Sequence, residues 1–153
     1  MQSTVSMIAA PPWMLADLWP KVGGLLLKGI LSNGETDPEF VAGDLKDCAD
    51  RIVDGRNQLW VVLQDTPHRF VATFCTSILI EPGGSSVVHI HTLAGDAMSK
   101  WGHLLAPTID AFARAEGCRA VQYEGREGWS RVLPAVAMGT TGDGVPAFER
   151  VLQ

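Results

Sequence analysis

The chain is 153 residues long, 46% hydrophobic and 19% charged, with a formal net charge of −5 at pH 7. That length and apolar content suit one globular domain over 1–153 and argue against a disordered chain. The acidic balance leaves no general basic surface for nucleic acid, and no apolar run approaches the roughly 20 residues a membrane-spanning helix needs.

The opening stretch MQSTVSMIAAPPW lacks the charged start and long apolar core of a signal peptide. Cys48, Cys75 and Cys118 are odd in number, far apart in sequence and embedded in apolar patterns. Buried thiols in a reducing compartment are expected, and hence a cytoplasmic protein without membrane contact.

In chain order, Val5 to Ile8 reads as a short strand ended by Ala9-Ala10-Pro11-Pro12. Residues 1–12 are also a candidate apolar arm, with Trp13 beside it as a docking edge for a protein partner or a second copy of the chain. Asp17 is placed to cap a helix with Pro20 in its first turn and Leu18, Val22, Leu25, Leu26 and Ile30 on one face, closed by Asn33-Gly34. A second helix starts at Asp37-Pro38 and carries Phe40, Val41, Leu45, Cys48, Ala49 and Ile52, ending at Gly55.

Leu59 to Leu63 and Arg69 to Ile80 have the branched and aromatic content of two hairpin strands, and Val87 to Leu93 forms a third after the turn Glu81 to Ser86. Trp101, Leu104, Leu105, Ile109 and Phe112 recur at helical spacing up to Gly117, with Pro107 predicting a kink or a later start. The strand Ala120 to Tyr123 follows, so this helix joins two parallel strands. An amphipathic helix over Arg126 to Met138, a glycine-rich stretch and a strand from Phe148 to Leu152 complete the chain. The order is β-α-α-β-β-β-α-β-α-β, an α/β (α+β) unit.

Three of the four histidines lie between Val87 and Leu105. Strand alternation puts His89 and His91 on one face. Two imidazoles on a strand also invite a metal, with Asp96 and His103 as further ligands, but zinc needs three or four and the helical stripe turns His103 aside. No metal is expected.

The element order resembles the GNAT superfamily of N-acetyltransferases over nearly the whole chain. HLLAPTIDAFARAEGCRAVQYEG, His103 to Gly125, is similar to that family's long helix and following strand, and GREGWSRVLPAVAMG, Gly125 to Gly139, to its next helix and the glycine beyond. More narrowly, Arg126, Gly128, Trp129, Arg131 and Leu133 resemble GNAT-like proteins encoded by tailed bacteriophages. The resemblance implies a mixed, mainly antiparallel sheet of about six strands flanked by helices. It also implies an acetyl-CoA site where a splayed strand meets the long helix, formed by Leu93, Ala94, Ser99, Lys100, Trp101 and Gly102, with backbone amides aimed at the pyrophosphate.

The family's phosphate signature, Arg or Gln, two residues, Gly, one residue, then Gly or Ala, falls on Ala97 to Gly102, where only Gly102 matches. Ala97 replaces the Arg or Gln, and Lys100 replaces a glycine that lets phosphate approach the backbone. Sliding the register to Gly95 misplaces the helical stripe. The family's base falls on His91 or Glu124, and the sole tyrosine, Tyr123, lies on a strand and not in the later helix where the family keeps its acid. Two functions follow from the resemblance. One is a phage-type accessory or virion-associated protein with a degenerate site and no cofactor, acting through protein contacts in the host cytoplasm or virion. The alternative is an acetyl-CoA-dependent N-acetyltransferase acting on an amine.

Overall fold

A computed structural model of the chain describes residues 4–31, 37–65, 68–95, 98–124, 132–140 and 146–152. Its elements are β1 (Val5–Ala10), α1 (Leu15–Leu31), α2 (Pro38–Val53), β2 (Asn57–Asp65), β3 (His68–Ile80), β4 (Ser86–Gly95), α3 (Met98–Ala115), β5 (Ala120–Glu124), β6 (Val136–Thr140) and β7 (Pro146–Val151), with a single 3-10 turn over Pro12–Met14. The strands form one seven-stranded sheet in the order β1-β2-β3-β4-β5-β7-β6. No described helix is long and apolar enough to cross a membrane. The chain divides into two compact units, Met1–Thr76 with Thr92–Trp101, and Ser77–His91 with Gly102–Gln153.

In the first unit, β1 runs antiparallel to β2 from Val5↔Gln64 to Ala10↔Leu59. Residues 5–10, half of the candidate arm, are therefore sheet. Leu15, Val22 and Leu26 of α1, Cys48 and Ile52 of α2, Leu59 and Val61 of β2 and Cys75 of β3 form its core. Helical spacing in α1 and α2 and alternation in β2 bring these side chains onto one apolar layer. The other face of β2 is largely buried too, and a chain of hydrogen bonds runs along it. The Trp60 indole donates to the Thr76 hydroxyl at 2.9 Å, that hydroxyl donates to Gln58 Oε1 at 2.9 Å, and the Thr73 hydroxyl donates to the Trp60 carbonyl at 2.7 Å.

The Asp37 cap is present as its sequence predicts, accepting from the Glu39 amide at 3.0 Å with Pro38 at the first helical position. The expectation for Pro20 is corrected. The turn at Pro12–Met14 leads straight into a helix that starts at Leu15, so Pro20 lies inside α1 and Asp17 in its first turn. Core contacts of Leu15, Val22 and Leu26 offset the hydrogen bond lost at the proline, a penalty of roughly 3 kcal/mol. Pro107 likewise sits inside an unbroken α3 that begins before Trp101, without the later start. The Asn33-Gly34 stop lies outside the described residues.

In the second unit, β4 and β5 pair in parallel from Val87↔Ala120 to Ile90↔Tyr123. Parallel neighbours need a long crossover, which α3 supplies. Leu105, Ile109 and Ala113 form its buried stripe. Gly117, at φ +74, ends the helix by taking the left-handed conformation that glycine adopts without a Cβ penalty. Its amide donates to the Arg114 carbonyl at 3.1 Å, and the Cys118 amide to the Ala113 carbonyl at 2.9 Å.

The expected helix over Arg126 to Met138 is also corrected. Residues 125–131 lie outside the described set, and Val136–Thr140 is β6, antiparallel to β7. Pro134 disfavours helical geometry at the residue before it, and Gly139 at φ +100 accompanies the irregular register between Ala137 and Thr140. The additional strand raises the count from about six to seven.

Arg150 of β7 braces this unit. Its guanidinium donates to the buried Asp110 carboxylate of α3, Nη2 to Oδ2 at 2.8 Å and Nε to Oδ1 at 3.0 Å, and to the Pro134 carbonyl at 2.9 Å. Replacing Asp110 with Asn leaves the arginine without its counter-charge, so urea unfolding should show a loss of about 2–3 kcal/mol with an unchanged m-value. A loss below roughly 0.5 kcal/mol would show that the pair does not hold α3 to β7.

Candidate active site

The end of the parallel ladder is where the histidines gather. Among the described residues the β4–β5 register stops at Ile90↔Tyr123, while β4 continues to Gly95. Val88 and Ile90 are buried on one face, and His89 and His91 project from the other. Their rings lie 5.8 Å apart between centroids at an interplanar angle of 26°. His89 registers with Gln122, so Glu124, two residues further along β5, shares the histidines' face. Glu124 is exposed, and its carboxylate draws the His89 pKa upward. Burial of the partly enclosed imidazole outweighs that pull and holds His89 below its ordinary value of 6.5. The carboxyl end of parallel strands is a general location for ligands in sheets crossed by helices.

Tyr123 faces the other way and is committed elsewhere. Its hydroxyl donates to the Leu133 carbonyl at 2.6 Å and its ring stacks on Phe148 at 5.1 Å. Burial pushes its phenol up. It is a fastener for the chain before β6.

The six candidate cofactor residues separate by position. Leu93 and Ala94 lie on the last stretch of β4. Ser99 and Lys100 are exposed in the first turn of α3, which contains no acidic residue. Trp101 is fully buried and Gly102 is buried beside it in sequence, so the indole belongs to the interior and does not face a ligand. Lys100 is the third residue of the helix. There its amide is among those without an intrahelical acceptor, and its side chain is exposed.

His103 is exposed on α3, Asp96 lies outside the described residues, and no group of three or more metal-ligating side chains occurs among those described. Gln122, absent from the sequence-based candidates, shares the histidine face, but its amide donates to Glu149 at 2.9 Å. Only the strand register reveals it.

No protein-family model and no curated protein matches the sequence. Solved structures do match. Agmatine N-acetyltransferase in its apo form aligns with a TM-score of 0.69 at 15% identity over 97% of this chain and 99% of its own. A mosquito arylalkylamine N-acetyltransferase-like protein gives 0.68 at 11% identity over 97% and 100%. A predicted acetyltransferase from Clostridium acetobutylicum, solved with acetyl-CoA, gives 0.61 at 9% identity over 84% and 86%. The chain has the mixed α+β GNAT fold. Nothing in these comparisons connects it to bacteriophage proteins, and four of the five residues on which that likeness rested, Arg126, Gly128, Trp129 and Arg131, lie outside the described residues.

The His89 environment is directly measurable. Its proton NMR titration should show a midpoint below 6.5. Glu124→Gln removes the charge that favours the imidazolium, so the midpoint should fall further, and a rise would place the carboxylate away from the ring.

Proposed function

We propose that the protein is an acetyl-CoA-dependent N-acetyltransferase acting on an amine. The observation that carries this reading is the shared face of His89, His91 and Glu124 at the carboxyl end of the β4–β5 pair, on a fold whose structural relatives are acetyltransferases. An amine substrate is an ammonium ion near neutral pH and has to lose a proton before it attacks. An imidazole that stays neutral at pH 7 is matched to accept it. His89 meets that condition through burial, His91 stacks against it as the second imidazole, and Glu124 stabilises the imidazolium that forms. Tyr123, hydrogen-bonded to Leu133, is not available as an acid for the leaving group.

The residues at the β4–α3 connection fit acetyl-CoA. The first amides of a helix lack intrahelical acceptors and favour an anion, no acidic side chain in the first turn competes, and exposed Lys100 adds positive charge. The backbone of Leu93 and Ala94, the side chains of Ser99 and Lys100 and the helix start leading to Gly102 would hold it. When bound, acetyl-CoA supplies the activated acetyl group.

Calorimetric titration with acetyl-CoA should give binding in the micromolar range. Lys100→Glu, a change at an exposed position, should weaken it about tenfold or more, roughly 1.4 kcal/mol, at an unchanged thermal midpoint. Acetyl transfer to a panel of primary amines should fall at least about a hundredfold in His89→Ala and decline as the pH drops through the imidazole range. Absence of heat at millimolar acetyl-CoA would overturn the assignment.

One surface observation favours protein contacts in addition. Trp13 is 76% exposed, behind exposed Pro11 and Pro12. If this edge docks a partner or a second copy, Trp13→Ala should lower the mass measured by light scattering at high protein concentration. An unchanged mass would exclude self-association through Trp13.

A further inference from the structure

Cys48 on α2 and Cys75 on β3 lie 27 residues apart in sequence, yet their sulfurs meet at 3.5 Å inside the first unit's core. Both are free thiols. A disulfide needs sulfurs at roughly 2.05 Å, so bond formation requires them to close by about 1.5 Å. We propose that Cys48 and Cys75 form a redox-active pair that closes to a disulfide under peroxide and ties α2 to β3.

The two sulfurs have different environments. Cys48 retains 7% exposure on a helix whose flanking residues Asp44, Asp47 and Arg51 are exposed, whereas Cys75 is completely enclosed. A hydrogen bond from Cys75, with a smaller contribution from the Arg51 charge, pulls the Cys48 pKa down, and the same hydrogen bond pushes that of Cys75 up. The thiolate is the nucleophile, so Cys48 attacks first. Hydrogen peroxide, small and uncharged, is the oxidant. Cys48 sulfur bonds to one peroxide oxygen, the O–O bond breaks, and the departing hydroxide leaves as water after taking a proton, giving a sulfenic acid. Cys75 sulfur then bonds to Cys48 sulfur and expels the second hydroxide, which leaves as water with the Cys75 proton. In total, two thiols and one peroxide become one disulfide and two waters, with two electrons passing to the peroxide. Cys118 sits in the other unit, where its sulfur accepts a contact from the Ser86 hydroxyl at 3.5 Å. It provides an internal control.

The experiment uses the full chain, reduced and then exposed to graded hydrogen peroxide while folded. Thiols counted after denaturation should drop from three to one, the intact mass should fall by two hydrogens, and peptide mapping should join the Cys48 and Cys75 peptides. The thermal midpoint of the oxidised form should rise by roughly 6 °C or more, because the cross-link restricts the unfolded chain, and return on reduction. Cys118→Ser should respond as the parent chain does, and Cys48→Ser should show neither the link nor the shift. Retention of all three thiols, oxygen adducts on single cysteines alone, or a link through Cys118 would overturn the proposal. These readouts on the parent chain stand even if a variant fails to fold, and none depends on acetyl transfer.

Discussion

A parallel pair of strands cannot be joined by a tight turn, and much of this structure follows from that constraint on β4 and β5. The chain leaves the carboxyl end of β4, crosses through α3 and re-enters at the amino end of β5. The crossover places the start of a long helix directly after a strand that has outrun its partner. Four registered pairs hold β4 to β5, from Val87↔Ala120 to Ile90↔Tyr123, and past them β4 extends to Gly95 with backbone that this ladder does not use.

The two ends of the ladder have opposite chemistry. At the amino end, Arg119 is stitched in place: its amide donates to the Ser86 carbonyl at 2.9 Å, its guanidinium donates to both Glu81 oxygens and to Glu149 at 2.9 Å, and its carbonyl accepts from the Leu152 amide at 3.0 Å. Those contacts hold the guanidinium charged and the Glu81 and Glu149 carboxylates below their ordinary range. At the carboxyl end Glu124 is exposed on the face of His89, an imidazole whose burial favours the neutral form. Rigidity at one end and titratable groups at the other is an arrangement suited to a site supported by a scaffold.

Much of the fold was legible because local signals agreed with it. Asp37 and Pro38 mark the start of α2 through a cap that the structure contains, and the long runs of branched residues in β3 and β4 have no competing helical pattern. The failures share a cause. Pro20 and Pro107 argue locally for a helix start or a break, but burial of the stripes around them outweighs a lost hydrogen bond. The segment ending at Met138 has amphipathic spacing in sequence, yet an available edge on β7 recruits Val136–Thr140 as a strand. Edge pairing depends on what lies alongside, which a local pattern does not record.

The candidate site divides along the same line. Alternation alone places His89 and His91 on one face, since a strand's side chains repeat every second residue whatever the fold. That Glu124 joins them, that Tyr123 turns away to Leu133, and that Trp101 is enclosed while Lys100 is exposed follow from register and packing. Cys48 and Cys75 are the clearest case: in sequence they are two unrelated apolar positions, and only the packing of α2 on β3 brings their sulfurs together. The sequence alone determined most element types, the Asp37 cap and which side chains of an element share a face, because those depend on neighbours a few residues away. Tertiary structure decided which distant side chains meet and which of them are withdrawn from water, because register and burial depend on groups far apart along the chain.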